Sequence, residues 1–144
     1  MNKYVKIGLI LLVVGALAAY LVYEFVINKS HPDYENLEPD YVVTAEQLYN
    51  DFATDRATAE QKYNGKMVQL SGVLDKIDQP DSLVIAVFVF NEGMFGEEGI
   101  RATMLPSHQQ KLLQANTGSE ITLKGFCTGY NDVDVILEKS SIIE

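Results

Sequence analysis

Residues 120–137, EITLKGFCTGYNDVDVIL, constrain the fold more tightly than any other stretch. Ile121 and Leu123 alternate with Thr122 and Lys124, the period of two that marks a strand with one buried face. Val133, Val135 and Leu137 alternate in the same way with Asp134 and Ile136. Between the two runs lie Gly125, Gly129 and Asn131-Asp132, residue types that accept a bulge or a positive φ. The pattern predicts two strands joined by a tight, glycine-containing connection. Such a pair cannot bury its apolar face alone, so earlier strands must supply the opposing wall.

Those strands can be read upstream. Residues 66–77, KMVQLSGVLDKI, predict a strand with Val68, Leu70, Gly72 and Leu74 on one face. Gly72 in mid-strand predicts a bulge or bend of the kind a small barrel needs. After a turn at 78–82, the nearly continuous apolar run 82–91 predicts a strand covered on both faces. Residues 91–99, NEGMFGEEG, read as a glycine-rich loop, and 100–105 as a third strand. Pro106 opens a short helix to Gln114, with Leu112 and Leu113 buried. Residues 141–143 add a few paired residues at the end.

Ahead of the strands, Thr44-Ala45-Glu46-Gln47 is a capping box, and Leu48, Tyr49 and Phe52 share one helical face. Residues 55–58 break this helix before a second one that ends at Tyr63, with Asn64-Gly65 as its C-cap. Tyr49, Phe52 and Tyr63 could stack nucleic-acid bases. Their expected role is to dock this preface onto the sheet.

The order strand, strand, strand, helix, strand, strand is that of the OB fold. The expected class is therefore mainly β: a five-stranded OB-fold barrel with an N-terminal helical preface, a short helix between strands 3 and 4, and one N-terminal transmembrane helix. The residues add a resemblance. Tyr63, Gly65 and Lys66 lead into Gly72-Val73, and Lys124, Gly125, Cys127 and Gly129 precede Asp134, Val135 and Leu137. Over residues 44–142 this resembles the tRNA-anti-like OB-fold family of bacterial, mostly membrane-tethered or exported proteins. The resemblance implies the fold and carries no established activity. Members often have a second cysteine near the chain end, where this chain has Ser140 and Ser141.

Residues 7–23, IGLILLVVGALAAYLVY, carry no charge. As a helix they span about 25 Å, and about 31 Å when extended past Glu24 to Ile27, against a hydrocarbon core of about 30 Å. Ile7, Leu11, Gly15, Tyr20, Tyr23 and Ile27 are the expected membrane residues, with the tyrosines at a headgroup belt. Ala16-Leu17-Ala18 has the form of a cleavage site, but cutting there would leave an exposed apolar tail. No cysteine follows the run, which argues against a lipoprotein anchor. An uncleaved signal anchor is expected at 7–27, after a cytoplasmic N-terminus at 1–6. A linker follows at 28–43, and the OB-fold domain with its helices occupies 44–144. Lys3 and Lys6 place the N-terminus inside, so the domain lies on the periplasmic or outer side of the cytoplasmic membrane. In the linker, His31 reads as solvated and Asn28-Lys29-Ser30 matches a glycosylation sequon.

The chain carries a formal charge of −9; residues 1–29 hold +2, leaving −11 on residues 30–144. Such a surface repels phosphate backbones unless a local basic patch overrides it. Arg56, Lys62, Lys66, Lys76, Arg101, Lys111, Lys124 and Lys139 lie scattered among nineteen acids. Nucleic acid is therefore not the expected partner. Cys127 with His108 as base would be a nucleophile pair, but a lone strand cysteine is ordinarily an inert apolar residue. His31, His108 and Cys127 match no zinc spacing. Asp132 and Asp134 share a strand face, and Glu97 and Glu98 sit in the loop; both read as solvated acids in preference to a calcium site. No catalytic, metal or cofactor residues are assigned, and no enzyme is expected. The expectation is a membrane-anchored binding module of the envelope for a protein, peptide or glycan. Asn91, Phe95, Glu97, Glu98 and Arg101 are its candidate ligand face. Single-stranded nucleic acid or oligosaccharide binding is the alternative.

Overall fold

The computed structural model describes residues 1–27 and 32–143, so His31 and the 28–30 sequon lie outside the described residues. The chain forms two compact units, Met1–Pro32 and Asp33–Glu144. In the first, α1 (Lys3–Val22) continues into a π-helical turn, Tyr23–Ile27. No residue of α1 or of this turn is buried, Ile7, Leu11, Gly15, Tyr20, Tyr23 and Ile27 included. Lys3–Ile27 contains an 18-residue window of mean hydropathy 2.5 and is long and apolar enough to cross a membrane, a test that a signal sequence also passes.

The second unit is built on one mixed sheet of seven strands. In chain order the elements are β1 (Tyr41–Thr44), α2 (Ala45–Thr54), α3 (Arg56–Tyr63), β2 (Met67–Val73), β3 (Lys76–Asp78), β4 (Ile85–Gly93) and β5 (Gly96–Met104). A 3₁₀ turn at Pro106–His108, then α4 (Gln109–Leu113), β6 (Glu120–Tyr130) and β7 (Asp134–Ile143) complete it. The strand order is β1-β2-β6-β7-β5-β4-β3. Pairing is parallel between β1 and β2 and between β5 and β7, and antiparallel elsewhere.

The OB element order is kept, but the sheet is neither five-stranded nor a closed barrel. Two local events account for this. The run expected as the first strand divides at Leu74-Asp75. Leu74 N–H bonds Ser119 O, whereas Asp75 N–H bonds Val87 O, so the chain leaves β6 and joins β4. The end of the expected linker also becomes a strand, with Tyr41 opposite Val68 and Thr44 opposite Ser71. Residues 33–40 before it are docked too. The Tyr34 ring meets Phe126 edge-on at 5.8 Å, and Asp40 Oδ2 accepts from Met67 N–H at 2.9 Å.

Further differences have physical causes. The ladder runs without a slip through Gly72, opposite Ile121. A Cβ there would stand 2.7 Å from Ala45 Cβ and 3.3 Å from the Phe88 ring, so this glycine admits the start of α2 and makes no bulge. The register shifts lie elsewhere: in β6 between Lys124 and Phe126 and between Cys127 and Gly129, in β4 between Val89 and Asn91, and in β5 between Ala102 and Met104. The stretch at 91–99 is not a loop, because β4 and β5 run through it and leave Met94-Phe95 as the turn. Leu112 is buried as expected, whereas Leu113 is 37% exposed.

The helical preface forms as its caps require. Thr44 Oγ1 accepts from Gln47 N–H at 3.1 Å, Asp55 caps α3, and Gly65 follows α3 with φ +75°. Tyr49, Phe52 and Tyr63 are buried, so they are not a stacking platform. Rings run in sequence from Tyr41 to Tyr63 (5.3 Å), Phe52 (5.8 Å) and Tyr130 (5.7 Å), tying β1, α3, α2 and β6 together. Beneath them Leu48, Val68, Leu70, Phe88, Ile100, Leu123, Val135 and Leu137 form the core.

Candidate functional site

The sheet face opposite the core is carried by β3, β4, β5 and β7. Pairing sets Lys76, Val87, Arg101 and Ile136 in one row across it. Asp78, Ile85 and Thr103 form the next row, and Val89, Gly99 and Asp134 the row on the other side. Arg101 thus stands between two aspartates, Asp134 on the adjoining strand β7 and Asp78 on β3, across the intervening β4. Its Nη1 donates to Asp78 Oδ2 at 2.6 Å, and its Nε to Asp134 Oδ2 at 3.0 Å. Burial lowers the guanidinium pKa; the bonds to both carboxylates more than offset this and hold it above its ordinary value. Asp134, only 8% exposed, also accepts from Gly99 N–H at 3.0 Å. A Cβ on Gly99 would overlap the Phe88 carbonyl, so glycine is needed for β4 and β5 to meet here.

The second cation of this face, Lys76, pairs with Glu97. Glu97 stands opposite Glu92, and Glu98 opposite Asn91. Asn91 Nδ2 donates to Glu98 Oε2 at 2.8 Å, and the Tyr49 hydroxyl donates to the same oxygen at 3.1 Å. Burial, then the bond to Glu98, pushes the Tyr49 pKa up to about 12. Phe90 stacks on the Tyr49 ring at 5.6 Å. The hairpin stem is therefore stapled to α2. At its tip Met94 and Phe95 are 93% and 85% exposed.

Of the sequence-predicted ligand face, the structure brings together Asn91 and Glu98. Glu97 goes to Lys76, Phe95 stays at the tip, and Arg101 lies down the strand in its own clamp. Asp132 and Asp134 do not share a strand face. Asp132 lies in the turn with φ +73° and pairs with Arg56, while Asp134 faces Arg101. Sequence reasoning missed three links: Tyr49 to Glu98, Asp78 to Arg101, and Glu35 to His108. All join residues far apart in the chain, and neither periodicity nor a motif signals such a pair.

Cys127 and His108 have separate partners. His108 is 5% exposed; its Nδ1 accepts from Ile142 N–H at 3.2 Å, and its Nε2 lies 2.8 Å from Glu35 Oε1. An accepting Nδ1 fixes the proton on Nε2, which donates to Glu35. Cys127 is fully buried, with Sγ 3.9 Å from Asn64 Oδ1, and burial pushes its thiol up to about 11. The thiolate is the nucleophilic form, so at pH 8 this thiol is almost wholly protonated. A disulfide reagent added to the native protein at pH 8 should modify Cys127 at least about a hundredfold more slowly than in denaturant. Equal rates would show that the sheet opens at β6. Among the described residues, no group of three or more His, Cys, Asp or Glu side chains is placed to hold a metal ion.

Residues 1–142 match the model of the tRNA_anti-like family. No curated protein sequence matches. Among solved structures, a Klebsiella pneumoniae protein described as a "putative nucleic acid-binding lipoprotein" aligns with a TM-score of 0.54 and 16% identity. The alignment covers 81% of this chain and 100% of that one, and it shows a shared fold. The S. pombe Stn1-Ten1 complex aligns at TM-score 0.37 and 11% identity, over 54% of this chain and 58% of that chain. Yeast Stn1 and Ten1 give 0.37 and 12%, over 78% and 66%. Those two likenesses are too distant to carry an argument.

Proposed function

The chain belongs to the tRNA_anti-like family, and from that premise we propose that it is a membrane-held binding module with an OB fold. Lys3–Ile27 anchors it in the cytoplasmic membrane with the N-terminus inside, and the Asp33–Glu144 unit meets a protein or peptide outside. No reaction is assigned to it.

The single observation that carries this reading is the clamp on Arg101. An OB fold that binds a single nucleic-acid strand needs a basic groove and exposed aromatic platforms. On the outer face of this sheet, Arg101 is held between Asp78 and Asp134, and Lys76 is paired with Glu97. Two cations against three carboxylates leave nothing to release counterions from a phosphate backbone. Tyr49, Phe52 and Tyr63, the rings the sequence offered for stacking bases, are buried between the helices and the sheet, and the exposed Phe95 stands alone at the hairpin tip.

The printed description of the Klebsiella protein favours the second reading, nucleic-acid binding. At 16% identity that description belongs to the other protein. One experiment separates the two readings. Membranes from expressing cells are extracted with alkaline carbonate, and detergent-solubilised full-length protein is titrated with labelled single-stranded DNA and RNA at low salt. Carbonate-resistant protein that leaves the oligonucleotides free supports the anchored module. Salt-sensitive oligonucleotide binding would replace it with the second reading, and carbonate-soluble protein would remove the anchor.

A further inference from the structure

We propose that the seam between β2 and β4 is a docking groove for an extended, lysine- or arginine-bearing segment of a partner protein, which pairs with the open strand edges there. This rests on the binding-module reading and names the partner's chemistry.

The seam exists because the ladder does not close. On its β1 side, β2 is paired only as far as Ser71, so Gly72 and Val73 have β6 as their strand neighbour. On its β3 side, β4 is paired only at Ile85, Ala86 and Val87, so from Val89 to Gly93 its strand neighbour is β5. Asp75 plugs one end by accepting from Val89 N–H at 2.7 Å. A groove of about 300 Å³ lies between the two strands. Val73, Val89 and Phe90 line it, and Val73 is 51% exposed. Unpaired strand edges beside an apolar floor are what strand addition uses: main-chain bonds give affinity, and pockets for alternate side chains give specificity.

The rim selects the occupant. Glu46, Asp75 and Glu120 border the groove, and among the described residues none of them forms an ion pair with a lysine or arginine. Glu46 lies in the first turn of α2, where the helix dipole stabilises its charge. A nucleic acid or an anionic lipid is repelled by this rim. A second copy of the chain would add the same three carboxylates and is repelled too. A strand with a cation at every second position instead turns its apolar side chains to Val73 and Phe90 and its cations to the rim.

The test uses the full chain in nanodiscs of neutral lipid at low salt. It is titrated with a labelled alternating Lys-Val octapeptide, the same peptide N-methylated at every second residue, and an alternating Glu-Val octapeptide. Two N-methylated forms, one for each edge, are needed. The Lys-Val peptide should bind, at least one N-methylated form should bind about tenfold more weakly, and the Glu-Val peptide should not bind. The Glu46→Gln/Glu120→Gln variant should weaken the Lys-Val peptide about tenfold, since each exposed pair is worth about threefold. A photo-cross-linker on the peptide should attach within residues 71–75 or 89–93. Equal affinity of both N-methylated forms and the parent, or an unchanged affinity of the double variant, would overturn the proposal. Cross-links elsewhere would remove the seam and leave the binding-module reading standing, whereas salt-sensitive oligonucleotide binding in the same nanodiscs would remove both.

Discussion

Phe52→Ala is expected to lower the stability of the Asp33–Glu144 unit by about 3–5 kcal/mol, the cost of emptying a well-packed aromatic site. Phe52 is 1% exposed and lies between Tyr63 of α3 and Tyr130 of β6. Truncation removes the ring that connects the helical preface to the sheet and leaves a cavity between two rigid partners. Neither can collapse freely into it. Arg56 holds Tyr130 O at 2.9 Å, and Asp51 holds the Tyr63 hydroxyl at 2.7 Å. A urea titration of the detergent-solubilised chain, followed by near-ultraviolet circular dichroism, measures the loss as a lower midpoint with the same slope. Tyr63→Phe is the control: it keeps the ring and loses one hydrogen bond, so it should cost about 1 kcal/mol. A Phe52→Ala loss no larger than that of the control would mean that α2 and α3 only decorate the sheet.

That expectation also shows how far the sequence could be read. Leu48, Tyr49 and Phe52 announced the buried face of α2 because a helix repeats its face every three to four residues. The alternation in β6 and β7 announced the hairpin, and the order of elements announced the OB arrangement. Each of these signals is local. The number of strands was not legible, because it depends on which partner each half of one continuous run chooses. Leu74 turns to Ser119 and Asp75 to Val87, and nothing in LSGVLDKI marks that change. β1 was hidden for a related reason. YVVT follows a proline-containing acidic stretch, and its pairing with β2 is parallel and long-range. The candidate face was half legible. Asn91 and Glu98 do meet, but the residues that decide the electrostatics, Asp78 and Asp134, looked like a turn acid and a solvated strand acid. What brings them to Arg101 is their register, which exists only once β3, β4, β5 and β7 are in place.

The same register makes Asp134 the most informative single position on the sheet. Asp134→Ala removes the acceptor of Gly99 N–H at a site only 8% exposed and one of the two carboxylates on Arg101. An orphaned buried donor costs about 1–3 kcal/mol. The Arg101 side chain is a third exposed and keeps Asp78, so its share is the smaller one. A total loss of about 2–4 kcal/mol is expected in the same urea titration. Asp134→Asn keeps an oxygen for Gly99 and should cost about 1 kcal/mol, which makes it usable in a binding experiment. Combined with Asp78→Asn it moves the face by two charge units while both amide oxygens can still accept from Arg101. Two added charges per face should raise low-salt affinity for single-stranded DNA by about tenfold or more, and salt should abolish the gain. If the double variant folds and still ignores the oligonucleotide, neutralisation of Arg101 is not what keeps nucleic acid away. The proposed function would then lose the observation it stands on, while the acidic seam would remain to be judged by its own peptide titration.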